Sequence, residues 1–93
     1  MAAYLVGNLK VTNPEGFAKY RELVAQTIAD HGGEYIVADV NSVAVEGNPD
    51  HLSVVLKFDN MEVLQGWYDS PEYQKILALR TDNSEGIITF AQD

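Results

Sequence analysis

The chain has 93 residues, enough for one domain (1–93) near the small end of what folds without covalent staples. It contains no cysteine, which excludes a disulfide framework and a thiolate metal site. Fourteen acidic residues against six scattered basic ones give a net charge of -8, so no nucleic-acid partner is expected. No stretch is typical of a membrane span or a signal peptide, so the sequence predicts a cytoplasmic protein without a membrane partner.

The first third of the chain predicts a strand followed by a helix. Apolar and polar residues alternate over residues 4–11, which is typical of a strand. Asn13 and Pro14 then supply an N-cap and a favourable first helical residue. Gly32 and Gly33 end the helix. Its apolar stripe, at three- and four-residue spacing, consists of Phe17, Tyr20, Val24 and Ile28.

The remainder predicts two strands, a second helical segment and a last strand. The second strand covers residues 34–40 and is expected to continue irregularly through 43–46; the third covers residues 51–58. Asp59 and Glu62 form a capping-box pattern that opens the second helix. Ser70 and Pro71 predict a break within it, after which helix resumes through Arg80. The last strand covers residues 86–91.

The element order β-α-β-β-α-β predicts an α+β, ferredoxin-like fold, with two helices on one face of a four-stranded antiparallel sheet. Two helices cover only one face, and the other face is too apolar to remain in water. We therefore expect two copies to stack these faces in a homodimer with twofold symmetry. The helix-free face is predicted to carry Tyr4, Val6, Asn8, Ser53, Val55, Ile87 and Thr89.

The most informative cluster is an aromatic run followed by an arginine. Trp67, Tyr68 and Tyr73 lie within seven residues, and Arg80 follows at helical spacing. Flat rings beside a fixed cation would make a wall for a small apolar or aromatic acid. Rings at helical spacing are more often core, and Arg80 has an alternative role in a salt bridge to a carboxylate such as Glu46 or Asp69 or as a cation at a helix C-terminus.

Other candidates carry weaker signals. His31 would serve as a general base, although its position at a helix end favours a capping role. Tyr20 and Asn8 are the remaining candidate ligand-binding residues, with the Tyr20 side chain expected mainly to pack and its hydroxyl to reach a cavity. The two histidines lack metal-ligand spacing, so no metal site and no cofactor are predicted.

Several motifs make the chain similar to the domain-of-unknown-function family 1330, within the dimeric α/β-barrel superfamily. They run in order across nearly the whole chain: Tyr20, His31-Gly32-Gly33, Glu46-Gly47, Val54-Val55-Leu56-Lys57-Phe58, Trp67-Tyr68-Asp69-Ser70-Pro71-Glu72-Tyr73 and Arg80. The resemblance implies a ferredoxin-like protomer paired into a barrel. It implies no particular reaction, because the wider superfamily includes cofactor-free monooxygenases, haem-degrading enzymes, chlorite dismutases and small binding proteins.

Two functional hypotheses therefore stay open. The first is a binding domain that holds a small apolar or aromatic acid between the aromatic run and Arg80. The second is a cofactor-independent enzyme, similar to a monooxygenase or an isomerase, in which His31 or the Tyr68 hydroxyl moves a proton. A purely structural role, with the rings serving as core, is the third possibility.

Overall fold

The computed structural model describes all residues 1–93. Its strands are β1 (Ala3–Val11), β2 (Glu34–Asp39), β3 (Leu52–Phe58) and β4 (Ser84–Gln92). Its helices are α1 (Pro14–Asp30), α2 (Met61–Tyr68), α3 (Pro71–Gln74) and α4 (Leu77–Thr81). No helix combines the length and the hydropathy that crossing a lipid bilayer requires.

The four strands form one antiparallel sheet in the order β2-β3-β1-β4, which confirms the predicted ferredoxin-like topology. Side chains of β1 alternate between buried and accessible because successive residues point to opposite faces. Val6 is paired with Val55 on one side and Thr89 on the other, and Asn8 is paired with Ser53 and Ile87. These residues share the face that bears no helix, as the alternation predicts.

The hydrophobic core fills the layer between the opposite face and the helices. Fourteen apolar or aromatic residues are buried there, and Trp67, Tyr73 and Phe58 are the largest that are fully enclosed. Gly33 follows α1 where the chain passes directly over this layer. A Cβ atom at Gly33 would lie 2.4 Å from Phe58 Cε2, so only glycine fits without displacement.

The second helical segment is divided more finely than the sequence predicts. Asn60, rather than Asp59, caps α2: its side-chain oxygen accepts from the Val63 amide at 2.9 Å. The predicted break at Ser70 is confirmed, because Ser70 Oγ donates to the Trp67 carbonyl and accepts from the Tyr73 amide. A second interruption at residues 75–76 separates α3 from α4 and was not predicted.

The expected continuation of the second strand through residues 43–46 is wrong. β2 ends at Asp39, which pairs with Ser53 near the start of β3, so no neighbouring strand remains to pair with the residues that follow. Val43 and Val45 are consequently 85% and 89% exposed.

Candidate functional site

A cavity of about 270 Å³ lies between α1, the sheet and the segment that carries α2 to α4. Its wall is mostly apolar, and the titratable side chains in it are Tyr20, Arg21, Tyr35, Tyr73 and Arg80. No carboxylate or imidazole belongs to the wall. We call this space the inner cavity. Its composition, apolar with a few polar groups, is typical of small-molecule sites.

The indole of Trp67 is fixed at the base of the inner cavity. The ring is 0% exposed, and its centroid lies 4.3 Å from that of Tyr73. Its N–H donates to Thr27 Oγ1 at 3.1 Å, and that hydroxyl donates to the Val24 carbonyl at 2.7 Å. The indole is therefore anchored to α1 through its one polar atom, and its ring packs against Tyr73 and Phe58.

Arg80 is buried and bonded to phenols. Its side chain is 9% exposed. Nε donates to Tyr73 Oη at 3.2 Å, and Nη2 is 3.5 Å from Tyr68 Oη. The alternative of a salt bridge to Glu46 or Asp69 is not what the structure shows: both carboxylates belong to exposed residues, and Asp69 accepts from Gln65. The hydrogen-bond partners of the guanidinium are thus tyrosine hydroxyls and not carboxylates.

The Arg80 guanidinium retains donors for a ligand. A guanidinium carries five N–H donors, of which the two phenols take two. Every fully buried side-chain nitrogen or oxygen in the structure has a partner. Because Nη1 makes no hydrogen bond within the protein, it must retain accessible surface. Its free N–H groups, with the second one on Nη2, suit the two oxygens of a carboxylate.

The phenols of Tyr20 and Tyr73 connect α1 to this cation. Their hydroxyl oxygens are 2.9 Å apart, with either able to donate. Burial is the main cause that raises the pKa of Tyr20 well above its ordinary value, and the adjoining Tyr73 raises it further. Burial alone would lower the pKa of Arg80, but the surrounding phenolic oxygens outweigh it and raise that pKa. At neutral pH Tyr20 is therefore a neutral hydroxyl beside the permanent Arg80 cation, and Arg21 adds a second permanent cation to the wall.

The predicted site residues fall into three groups. Trp67, Tyr73, Arg80 and Tyr20 come together around the inner cavity. Tyr68 lies behind Arg80, where its ring packs edge-on against Phe90 at 5.5 Å, and it is not part of the cavity wall. Its hydroxyl lies 3.5 Å from Arg80 Nη2.

Asn8 and His31 lie elsewhere. The Asn8 side chain accepts from the Asp50 amide at 2.8 Å and donates to the Asp50 carbonyl at 3.0 Å, so it fastens a loop 42 residues away. His31 is the C-cap of α1, and its Nδ1 lies 3.0 Å from the Thr27 carbonyl. Neither residue lines the inner cavity. The structure thus shows the capping role for His31 that its position favours.

Two wall residues were missed by the sequence analysis. Arg21, beside Tyr20 on α1, and Tyr35 on β2 both line the inner cavity. Tyr35 is 44% exposed, which places it at the mouth. The register of β2 shifts between Tyr35 and Val37, so Ala38 returns to the side of Tyr35. Strict alternation would put Tyr35 and Ala38 on opposite faces, and this bulge is what gives the cavity its outer wall.

The order β2-β3-β1-β4, with helices over one face and a cavity beneath them, defines a ferredoxin-like architecture. The family model described as Domain of unknown function (DUF1330) matches residues 2–92, and the chain belongs to that family. Among curated proteins, none matches this sequence.

Three solved structures illustrate the shared fold. A protein of unknown function from Rhodopseudomonas palustris superposes with a TM-score of 0.76 at 11% identity, over 99% of this chain and 83% of that one. SnoaB, a cofactor-independent oxygenase from Streptomyces nogalater, has a TM-score of 0.69 at 13% identity, over 99% and 92%. A conserved protein from Methanosarcina mazei has a TM-score of 0.62 at 20% identity, over 99% and 92%. At these identities the likeness shows the fold alone.

Proposed function

We propose that this protein binds a small apolar or aromatic carboxylic acid in the inner cavity, with the acid group on Arg80. The proposal rests on the burial and the hydrogen-bond partners of that guanidinium. It is buried, its protein partners are uncharged phenols, and it keeps unused N–H donors beside an apolar space. An isolated buried charge is costly, and an anionic ligand would compensate it.

The size of the inner cavity limits the ligand. A volume of about 270 Å³ is near the lower end for small-molecule sites. It equals the liquid volume of roughly nine water molecules. A single aromatic ring with one short acid group fits this space.

We also propose that two copies associate through the helix-free face of the sheet. Val6, Val37 and Ile87 are 42%, 41% and 68% exposed on that face, and Val55 lies between the first two. Such a contiguous apolar surface is unusual on a monomer. Light scattering after size exclusion should give a dimer for the wild type and a monomer for Ile87→Asp. A wild-type monomer at micromolar concentration would overturn this part.

The binding proposal is tested by isothermal titration calorimetry with benzoate and with its uncharged isostere benzamide. A charge-assisted contact contributes about 1.5–3 kcal/mol, so benzoate should bind at least about tenfold more tightly than benzamide. This comparison needs no variant and therefore does not depend on how a substitution at a buried site affects folding. Equal affinity for the two compounds, or no binding of benzoate, would contradict the proposal.

Variants then assign the effect to one side chain. Arg80→Gln should remove the preference for benzoate over benzamide, provided that circular dichroism shows a folded chain. Lys19→Gln is the matched control, because Lys19 is exposed on α1 and lines no cavity. It removes one positive charge at a distance from the site. A preference that survives in Arg80→Gln, or disappears in Lys19→Gln, would count against a role for Arg80.

A second candidate function is cofactor-independent catalysis. The favouring observation is the chain of Tyr20, Tyr73 and Arg80, which offers aligned donors to an oxyanion that develops on a bound substrate. The fold is shared with SnoaB, a cofactor-independent oxygenase. Catalysis ranks second because the inner cavity wall supplies no carboxylate or imidazole as a base, and the pKa of Tyr20 is raised.

Hydrogen–deuterium exchange tests this candidate directly. If the donors stabilise an enolate, the protein should accelerate exchange of the benzylic protons of phenylpyruvate in deuterated water. Tyr73→Phe should slow that exchange more than Tyr68→Phe, since only Tyr73 lines the inner cavity. Exchange at the buffer rate with wild-type protein would leave binding as the sole proposed function.

A further inference from the structure

A second cavity adjoins the first. It has a volume of about 580 Å³ and lies at the end of β1 and the start of β3, beside the first half of α1. We call it the outer cavity. The two cavities share four wall residues: Leu9, Phe17, Arg21 and Leu52. These shared residues place the two cavities side by side.

The charge of the outer cavity is opposite to that of the chain. Acidic residues outnumber basic ones fourteen to six over the whole sequence. In this wall the ratio is reversed: the two basic residues Lys10 and Arg21 accompany one carboxylate, that of Asp50, and His51 is also part of the wall. Two of the six permanently charged basic residues of the chain therefore border this single space.

The wall is also positioned by the fold. Asn8 holds the Asp50 backbone through two hydrogen bonds, so the loop that carries Asp50 and His51 is tied to β1. Lys10 stands two residues further along β1, and Arg21 stands on α1 opposite. The charged groups of the outer cavity thus come from three separate segments, whose relative positions are set by backbone structure.

We infer that the outer cavity binds a second carboxylate, so that the ligand class is an elongated dicarboxylic acid. This inference rests on the proposed function of the inner cavity and specifies its ligand. The aromatic acid end of the ligand lies at Arg80, and the far carboxylate lies among Lys10, Arg21 and His51. Because the latter three residues are exposed, this contact is weakened by salt more than the buried one.

Two matched compounds test the inference: para-butylbenzoate and para-(carboxypropyl)benzoate, which differ mainly by the terminal carboxylate. Calorimetry at low ionic strength should show up to about fivefold tighter binding of the diacid, because an exposed ion pair contributes at most about 1 kcal/mol. The Lys10→Gln, Arg21→Gln double variant should reduce that ratio to about one. Lys19→Gln should keep it, and added salt should reduce it for the wild type.

The outcomes separate the two proposals. Equal binding of the two compounds to the wild type, with benzoate still preferred over benzamide, overturns the outer site and leaves the inner one intact. A diacid preference that persists in the double variant also overturns it. If the wild type shows no preference for benzoate over benzamide, the inner site is refuted, and the dicarboxylate inference that rests on it falls too. Lys10 and Arg21 are exposed, so circular dichroism should show the double variant folded like the wild type.

Discussion

Replacement of Tyr73 by phenylalanine isolates the hydroxyl that joins α1 to the buried cation. The hydroxyl bonds Tyr20 at 2.9 Å and accepts from Arg80 Nε at 3.2 Å. Loss of the neutral bond costs about 1 kcal/mol, and loss of the bond to the cation about 2 kcal/mol. Because the ring is kept, little packing is lost. We expect Tyr73→Phe to lower the free energy of unfolding by about 3 kcal/mol.

Tyr68→Phe is the matched control for this substitution. It removes the same atom from a half-buried ring whose only contact with Arg80 is 3.5 Å long. The expected loss is therefore below about 1 kcal/mol. Both variants are compared by urea denaturation followed by far-ultraviolet circular dichroism. At a urea dependence of about 1–3 kcal/mol/M, the midpoint of Tyr73→Phe should fall by roughly 1–3 M.

A double variant checks that the hydroxyls act as a pair. When Tyr20 and Tyr73 both become phenylalanine, neither leaves the other unpaired, so the combined cost should be less than the sum by about 1 kcal/mol. All variants should be measured at the same protein concentration, because self-association would make the free energy of unfolding depend on concentration. A cost for Tyr73→Phe that is no larger than that for Tyr68→Phe would refute the inferred importance of this network.

Three further predictions concern stability. Gly33→Ala should destabilise the folded protein by about 1–3 kcal/mol, because the added methyl group overlaps the Phe58 ring. Gly66→Ala should stabilise it by about 0.5–1 kcal/mol, because Gly66 has open space around it in α2 and alanine favours the helix. Calorimetric unfolding measures both changes. The folded chain keeps the Tyr20 proton, whereas the unfolded chain loses it above about pH 10. The free energy of unfolding should therefore fall as the pH rises above about 10, by at most about 1.4 kcal/mol per pH unit for this group. The fall should be less steep in Tyr20→Phe. Trp67→Ala should cost about 3–5 kcal/mol, because the indole is fully buried, and a urea midpoint near that of the wild type would contradict this.

Much of the fold is readable from side-chain periodicity. The alternation of β1 and the stripe on α1 each bury one face, and each faces the core in the structure. What periodicity does not encode is the length of a partner strand. Residues 43–46 include two valines and were expected to continue the second strand irregularly, yet β3 has no residues left to pair with them. The bulge at Ile36 is equally invisible, because it depends on how two strands align.

For the site residues as well, contacts between residues close in sequence were predictable, and contacts between distant residues were not. Tyr73 and Arg80 are two helical turns apart, and this spacing brings Nε to the hydroxyl even across the interruption at residues 75–76. Asn8 is a candidate ligand-binding residue in the sequence analysis. Its partner is Asp50, 42 residues away, and no local pattern reports such a contact. The place of Arg21 in both cavity walls likewise depends on the docking of α1.

The position of the only tryptophan gives the protein a built-in optical reporter. Trp67 is 0% exposed, lines the inner cavity and lies 4.3 Å from one tyrosine ring and 6.1 Å from another, measured between centroids. Energy absorbed by those phenols can pass to the indole, whose emission wavelength depends on the polarity around it. Intrinsic fluorescence therefore senses both the integrity of the core and any molecule that enters beside the indole, without a label and at a single residue.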